Sequence, residues 1–308
     1  MPQLDYQTVI DAPTWAFIAK TDAFYPPETA TYSIDRQRQI YDAMCRQFAQ
    51  GYPAGVMATD RTVGGVACRI YAGSGPAVVL YLHGGGFVVG DLNSHDDICA
   101  EICARTGLCV VAADYRLSPE NLHPAALDDA CAVARALPGP LVLVGDSAGA
   151  NLAAAATHAL RGSPAQILGQ VLVYPGLGGD PTTGSYLTHA QAPMMTLQDV
   201  LFYKDIRHGT TAPADDPTGS PLCDPDFTRL PPTLAISAEC DPLADDARHY
   251  AAKVTAAGGQ ATWSNAKGLV HGYLRARAMV PRAAASFTLI IETITAMAEL
   301  RWPAQETP

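Results

Sequence analysis

Residues 141–160 read LVLVGDSAGANLAAAATHAL: four branched aliphatic residues, a serine between glycines, then an alanine-rich run. A strand that turns sharply into a helix brings the two flanks of the turn almost into contact. Side chains at 145 and 149 would collide there. Glycine at both positions relieves the crowding and permits the strained backbone the serine needs. Ser147 is then expected to project its hydroxyl above the sheet, near the positive end of the following helix. The pattern G-x-S-x-G is common by chance, and its strand–turn–helix setting is what marks Ser147 as a candidate nucleophile.

The flanking sequence repeats the strand–helix alternation. Strands are expected in VACRIYAG (66–73), PAVVLYLHGGG (76–86), LCVVAADY (108–115), ILGQVLVYPGL (167–177), PPTLAISAECDPL (231–243) and QATWSNAK (260–267). Helices are expected over 93–106, 123–137, 244–258 and 283–300, the second with Pro124 near its start. Short apolar strands alternating with helices predict an α/β fold: a mostly parallel sheet covered on both faces. With 308 residues, 48% of them hydrophobic, the chain can bury a sizeable core. Two regions stand outside the alternation. Residues 1–50 carry Ile34, Ile40, Tyr41, Met44 and Phe48 at helical spacing, and are expected to form one or two helices outside the sheet. Residues 178–230 hold many turn residues and one helical segment near 196–207, too long for a simple connection. The expected organisation is N-terminal cap helices (1–50), a catalytic domain (51–177 and 231–308) and a cap insertion (178–230).

A serine hydroxyl needs a general base. Of eight histidines, His271 follows the last strand, in KGLVHGY, and functional groups gather beyond the carboxyl ends of parallel strands. His158 and His249 fall within helices, His189 and His208 within the insertion, and His95 and His123 flank earlier helices. The acid that orients the base is expected after the penultimate strand. In SAECDPLADD, Asp241 lies just beyond the strand, whereas Glu239 ends it and is the alternative.

Acyl transfer also places negative charge on a carbonyl oxygen, which backbone N–H groups stabilise. Ala148 is expected to supply one. The loop HGGGF (83–87) follows an apolar strand, and Gly84 and Gly85 are the expected further donors, with Gly86 shaping the loop. Phosphate-loop patterns are absent, because no lysine follows these glycines. His83 has no neighbouring ligands at metal-site spacing, so neither a metal nor a cofactor is expected. A net charge of −10 without basic clusters argues against nucleic acid as a partner. The eight cysteines lie mostly in apolar or helical stretches and are expected as buried thiols of a reducing compartment. No apolar run is long enough for a membrane span, and the first residues lack the features of a signal peptide. A cytoplasmic protein acting away from membranes is expected.

Taken together, HGGGF, DYRLSPE (114–120), GDSAGAN (145–151), DPLADD and HGY resemble the hormone-sensitive-lipase-like branch of the α/β-hydrolases, the bacterial carboxylesterase and acetyl-esterase group. The resemblance covers roughly residues 75–275. It implies an α/β-hydrolase fold with an eight-stranded sheet and a helical cap, a triad of Ser147, Asp241 and His271, and an oxyanion hole of Gly84, Gly85 and Ala148. It makes His83 a loop-shaping residue. It further implies hydrolysis of short- to medium-chain acyl esters, no metal, and in many members a homodimer. Phe87, Val88, Met194, Met195, Leu201 and Phe202 are candidates for the substrate pocket. An amidase, arylformamidase or lactonase would use the same triad; a non-catalytic receptor on this fold typically lacks one of its members.

Overall fold

The computed structural model describes residues 4–209 and 216–301. Residues 1–3, 210–215 and 302–308 lie outside the described residues, and with them small parts of the three expected segments.

Three helices open the chain: α1 (Tyr6–Val9), α2 (Ala12–Asp22) and α3 (Ile34–Phe48). Side chains of Asp11 and Ser33 cap α2 and α3 by accepting from Thr14 and Arg36 backbone N–H groups. The alternating region follows: β1 (Ala58–Val63), β2 (Val66–Tyr71), β3 (Val78–Leu82), α4 (Asp96–Thr106), β4 (Cys109–Ala113), α5 (Ala125–Ala136), β5 (Leu141–Asp146), α6 (Ala148–Ala159) and β6 (Ile167–Val173). Helices α7 (Gly184–Thr188) and α8 (Leu197–His208) interrupt it. It resumes with β7 (Thr233–Cys240), α9 (Ala244–Ala256), β8 (Ala261–Val270) and α10 (Pro281–Ala298).

The eight strands form one sheet in the order β1-β2-β4-β3-β5-β6-β7-β8. Pairs β1–β2 and β2–β4 are antiparallel and the other five are parallel. Each central strand alternates strictly between two cores. Val142 and Val144 of β5 face the layer holding Ile98, Ile102, Phe287 and Ile294, together with Phe17 and Phe48 of the N-terminal helices. Leu141 and Leu143 face Leu127, Ala153, Tyr250 and Val254. The alanines of α6 are almost all fully buried, which lets that helix lie close on the sheet. The two-sided burial of a parallel sheet explains why these strands read as continuous apolar runs.

The helices exceed the expectation, three in place of one or two in residues 1–50 and α7 besides α8 in the insertion, and two strands also differ from it. Strand β1, ATDRTV, is mostly exposed and pairs on one side only, so it has neither the apolarity nor the alternation of a core strand. Its signal was the Val-Gly-Gly-Val turn: Gly64 and Gly65 have φ of 59° and 87°, as a two-residue hairpin requires. Strand β8 continues past Lys267-Gly268 to Val270. The glycine sits in an irregularity where pairing skips before Cys240 meets Val270. Glu239 closes it, accepting from Gly268 N–H at 2.7 Å and Lys267 Nζ at 2.8 Å. The continuation places His271 directly at the strand end.

At the β5–α6 turn, a Cβ on Gly145 would come within 2.4 Å of the Gly149 backbone, and one on Gly149 within 1.9 Å of the Leu82 carbonyl oxygen. Ser147 between them has φ 53° and ψ −117°. Gly149→Ala is therefore expected to force α6 off the sheet and destabilise the fold by about 3 kcal/mol, read as a lowered urea midpoint at unchanged slope.

Candidate active site

The sharp turn after β5 lifts Ser147 above the carboxyl edge of the sheet; its N–H donates to the Val173 carbonyl at 2.9 Å and its carbonyl accepts from Asn151 N–H at 3.1 Å. Asp241 lies just past β7 and is fully buried. Its Oδ1 accepts from Leu243 N–H at 2.9 Å, and its Oδ2 is 2.6 Å from His271 Nδ1. A buried carboxylate only accepts, so Nδ1 carries the proton and Nε2 presents a lone pair. Nε2 is 2.8 Å from Ser147 Oγ. The Tyr174 ring packs against the imidazole at 4.9 Å, which helps to fix its plane. Thus the three side chains chosen from the sequence meet in one line. Glu239, the alternative acid, is committed to the β8 irregularity.

The other histidines are occupied elsewhere. His83 is buried and stacked on Tyr115 at 4.3 Å, with Nδ1 2.9 Å from the Gly84 carbonyl oxygen; burial pushes its pKa down to about 4. His95 lies against Asp146, His123 against Asp216, His158 against Asp224, and His189 against the Tyr6 hydroxyl. His208 packs on His123, and burial lowers its pKa to about 4. His249 is exposed on α9. Among the described residues no group of three or more His, Cys, Asp or Glu side chains is placed to hold a metal ion, and no disulfide is formed.

The glycine loop requires a correction. The Gly84 N–H donates to Asp146 Oδ1 at 3.0 Å, so it is not available to a substrate oxygen. Asp146 is buried next to the serine, a position that by itself raises a carboxyl pKa. The His95 ring, the Arg275 guanidinium and the Tyr81 hydroxyl outweigh burial and hold it below the usual carboxylate range. This carboxylate therefore stays charged, and a charged acceptor takes the nearest N–H. Gly85 and Gly86 instead face the cavity that contains Ser147 and His271. No described residue accepts from the N–H of Gly85, Gly86 or Ala148. Gly85 has φ 136°, and a Cβ there would lie 2.1 Å from the Val89 carbonyl oxygen, so no other residue fits.

The cavity has a volume of about 400 Å³. Met194, Met195 and Phe202 line it as expected. Phe87, Val88 and Leu201 do not. The chain turns at Phe87, with φ 66°, and the ring lies under the Arg207 guanidinium at 3.7 Å. Val88 is fully buried, with its carbonyl accepting from Arg38 Nε at 2.9 Å. Leu201 is one residue before Phe202 on α8, a rotation of about 100° away from the lining face. Sequence reasoning missed Tyr25 and Tyr41 from the N-terminal segment, and Val89 and Tyr203. Tyr203 was within reach by adjacency to Phe202. Tyr41 and Met44 are visible in the sequence as an i, i+3 pair on an expected cap helix, but spacing alone does not assign them to the cavity wall. No helix among the described residues is long and apolar enough to cross a membrane.

Residues 79–275 match the model of a family described by its α/β-hydrolase fold. The chain is 35% identical over 253 residues to esterase LipI of Mycobacterium tuberculosis, covering 74% of this chain and 77% of that protein. It is 33% identical to ethyl acetate hydrolase of Pseudomonas putida, over 71% and 72% of the two chains. Among solved structures, an esterase of the bacterial hormone-sensitive lipase family superposes with a TM-score of 0.85 at 27% identity, over 94% of this chain and 99% of that one. The eight-stranded, mostly parallel sheet and these relatives agree: the chain belongs to the α/β-hydrolase family, in its hormone-sensitive-lipase-like branch.

Proposed function

We propose that this protein is a serine carboxylesterase that hydrolyses short- to medium-chain acyl esters through an acyl-enzyme. The observation that carries this reading is the unbroken line Asp241–His271–Ser147, at 2.6 and 2.8 Å, ending on a hydroxyl that faces a cavity lined by Gly85 and Gly86, whose N–H groups have no acceptor among the described residues. Ser147 Oγ attacks the ester carbonyl while His271 Nε2 takes its proton. Asp241 holds the ring in that tautomer and stabilises the imidazolium that forms. The carbonyl oxygen, now negative, lies against the N–H groups of Ala148, Gly85 and Gly86, each worth about 3 kcal/mol in the transition state. His271 returns the proton to the departing alcohol, and water then cleaves the acyl-enzyme by the same route.

The size of the cavity and its methionine and phenylalanine wall support a compact acyl or alcohol group rather than a long lipid chain. The relative that hydrolyses ethyl acetate supports the same range. Segments 1–50 and 178–230 serve as a cap in this reading: Tyr25 and Tyr41 from the first and Met194 and Tyr203 from the second stand around the same cavity. The unbridged cysteines support a reducing, cytoplasmic setting.

The test is a series of p-nitrophenyl esters of increasing acyl length beside matched amides and lactones. Turnover is expected to be greatest on the shorter esters; a greater rate on amides or lactones would assign the site to a different bond. Ser147→Ala is expected to lower kcat by about five to six decades without a change in Tm, and to abolish labelling by an alkyl phosphonate. The two acids are separable in the same assay. Asp241→Asn is expected to lower kcat by about four decades, through the wrong imidazole tautomer, whereas Glu239→Gln should stay within about tenfold.

A further inference from the structure

The peptide unit between Gly84 and Gly85 carries the Gly85 N–H at one end and the Gly84 carbonyl at the other. In a trans peptide these point in opposite directions, so whatever holds the oxygen aims the hydrogen. Neither residue has a side chain to hold the plane, and both flanking torsions belong to glycine, which makes a flip of the unit sterically easy. Two groups grip the Gly84 oxygen: His83 Nδ1 at 2.9 Å, from the same loop, and the Tyr41 hydroxyl at 3.2 Å, from α3. The Tyr41 hydroxyl in turn accepts from Arg275 Nη2 at 2.7 Å, so its single proton is directed to the Gly84 oxygen. Arg275 is fixed from its other arm by the Ser94 carbonyl at 2.7 Å. Its guanidinium carbon also lies 5.1 Å from the centre of the Tyr41 ring. Donation from a cation polarises the tyrosine O–H and strengthens the bond it makes.

Resting on the reading of Ser147 as the nucleophile, we infer that Tyr41 of α3, held by Arg275, is a positioning residue for the oxyanion site: it locks the Gly84–Gly85 peptide so that the Gly85 N–H faces the reacting carbonyl. The arrangement links three parts of the chain. Tyr41 belongs to the N-terminal helix, Gly84 to the loop after β3, and Arg275 lies four residues beyond His271. The N-terminal segment is then part of the apparatus that stabilises the transition state, besides forming a wall of the cavity.

The experiment is Tyr41→Phe, which keeps the ring against the cavity and removes only the hydroxyl. Active sites are counted by phosphonate titration, so that loss of folded protein does not imitate the effect. Expected are a 10- to 100-fold fall in kcat per titrated site and an equal weakening of inhibition by an alkyl boronic acid, whose tetrahedral adduct on Ser147 mimics the oxyanion, with KM held within about twofold. A purely structural role would move KM and Tm while leaving the boronate affinity in step with KM. Unchanged kcat and boronate affinity per titrated site, with Ser147→Ala inactive, would overturn the role of Tyr41 and leave the esterase reading standing. An active Ser147→Ala would remove the reading itself.

Discussion

The carboxylate of Asp146 sits in the interior one residue before the serine, and four elements end on it. Its Oδ1 accepts from the Tyr81 hydroxyl of β3 and from the Gly84 N–H of the glycine loop. Its Oδ2 accepts from the Tyr174 hydroxyl beyond β6 and lies 3.3 Å from His95 Nε2 at the start of α4. A buried charge left without partners costs several kcal/mol, so these donors must converge for the fold to close. Their convergence draws the loop after β3 against the turn after β5. That approach brings Gly85 and Gly86 to the same cavity as Ser147. The charge next to the nucleophile thus shapes its surroundings without taking a proton in the reaction.

A similar division of labour holds at the other end of the site. Two acids lie two residues apart at the end of β7, Glu239 within the strand and Asp241 just past it, and their surroundings assign them different tasks. Glu239 points to the edge, where Lys267 and the Gly268 N–H bind it and stabilise the interruption in β8. Asp241 is turned inward, with one oxygen held by the Leu243 N–H and the other on His271. The irregularity that Glu239 closes is also what carries β8 on to Val270 and sets His271 at the height of Ser147. Reactive geometry here rests on a defect in strand pairing that is stabilised from the solvent side.

Much of this was legible in the chain itself. The β5–α6 turn, the sheet class and the members of the Asp–His–Ser line depend on local rules: apolar runs, glycine at points of crowding, and functional groups at the ends of parallel strands. Less legible was anything carried by an exposed or composite surface. Strand β1 is polar because it is an edge, so periodicity does not see it. The cavity wall could be guessed as apolar, but Phe87, Val88 and Leu201 turn elsewhere while their neighbours Val89 and Phe202 line it. A one-residue step on a helix or in a tight turn carries a side chain to a different face, and composition does not record that direction.

The sequence by itself determined that a serine would stand on a strained strand-to-helix turn, with a histidine and an acid delivered to it from later strands. Local sterics and burial pattern suffice for those statements. Only the tertiary structure decided which glycine N–H groups remain open. Gly84, Gly85 and Gly86 are chemically alike, and what separates them is a carboxylate 62 residues later and a tyrosine 43 residues earlier. A peptide group has no preference of its own for where its hydrogen points; the acceptors and donors that folding brings against it make that choice.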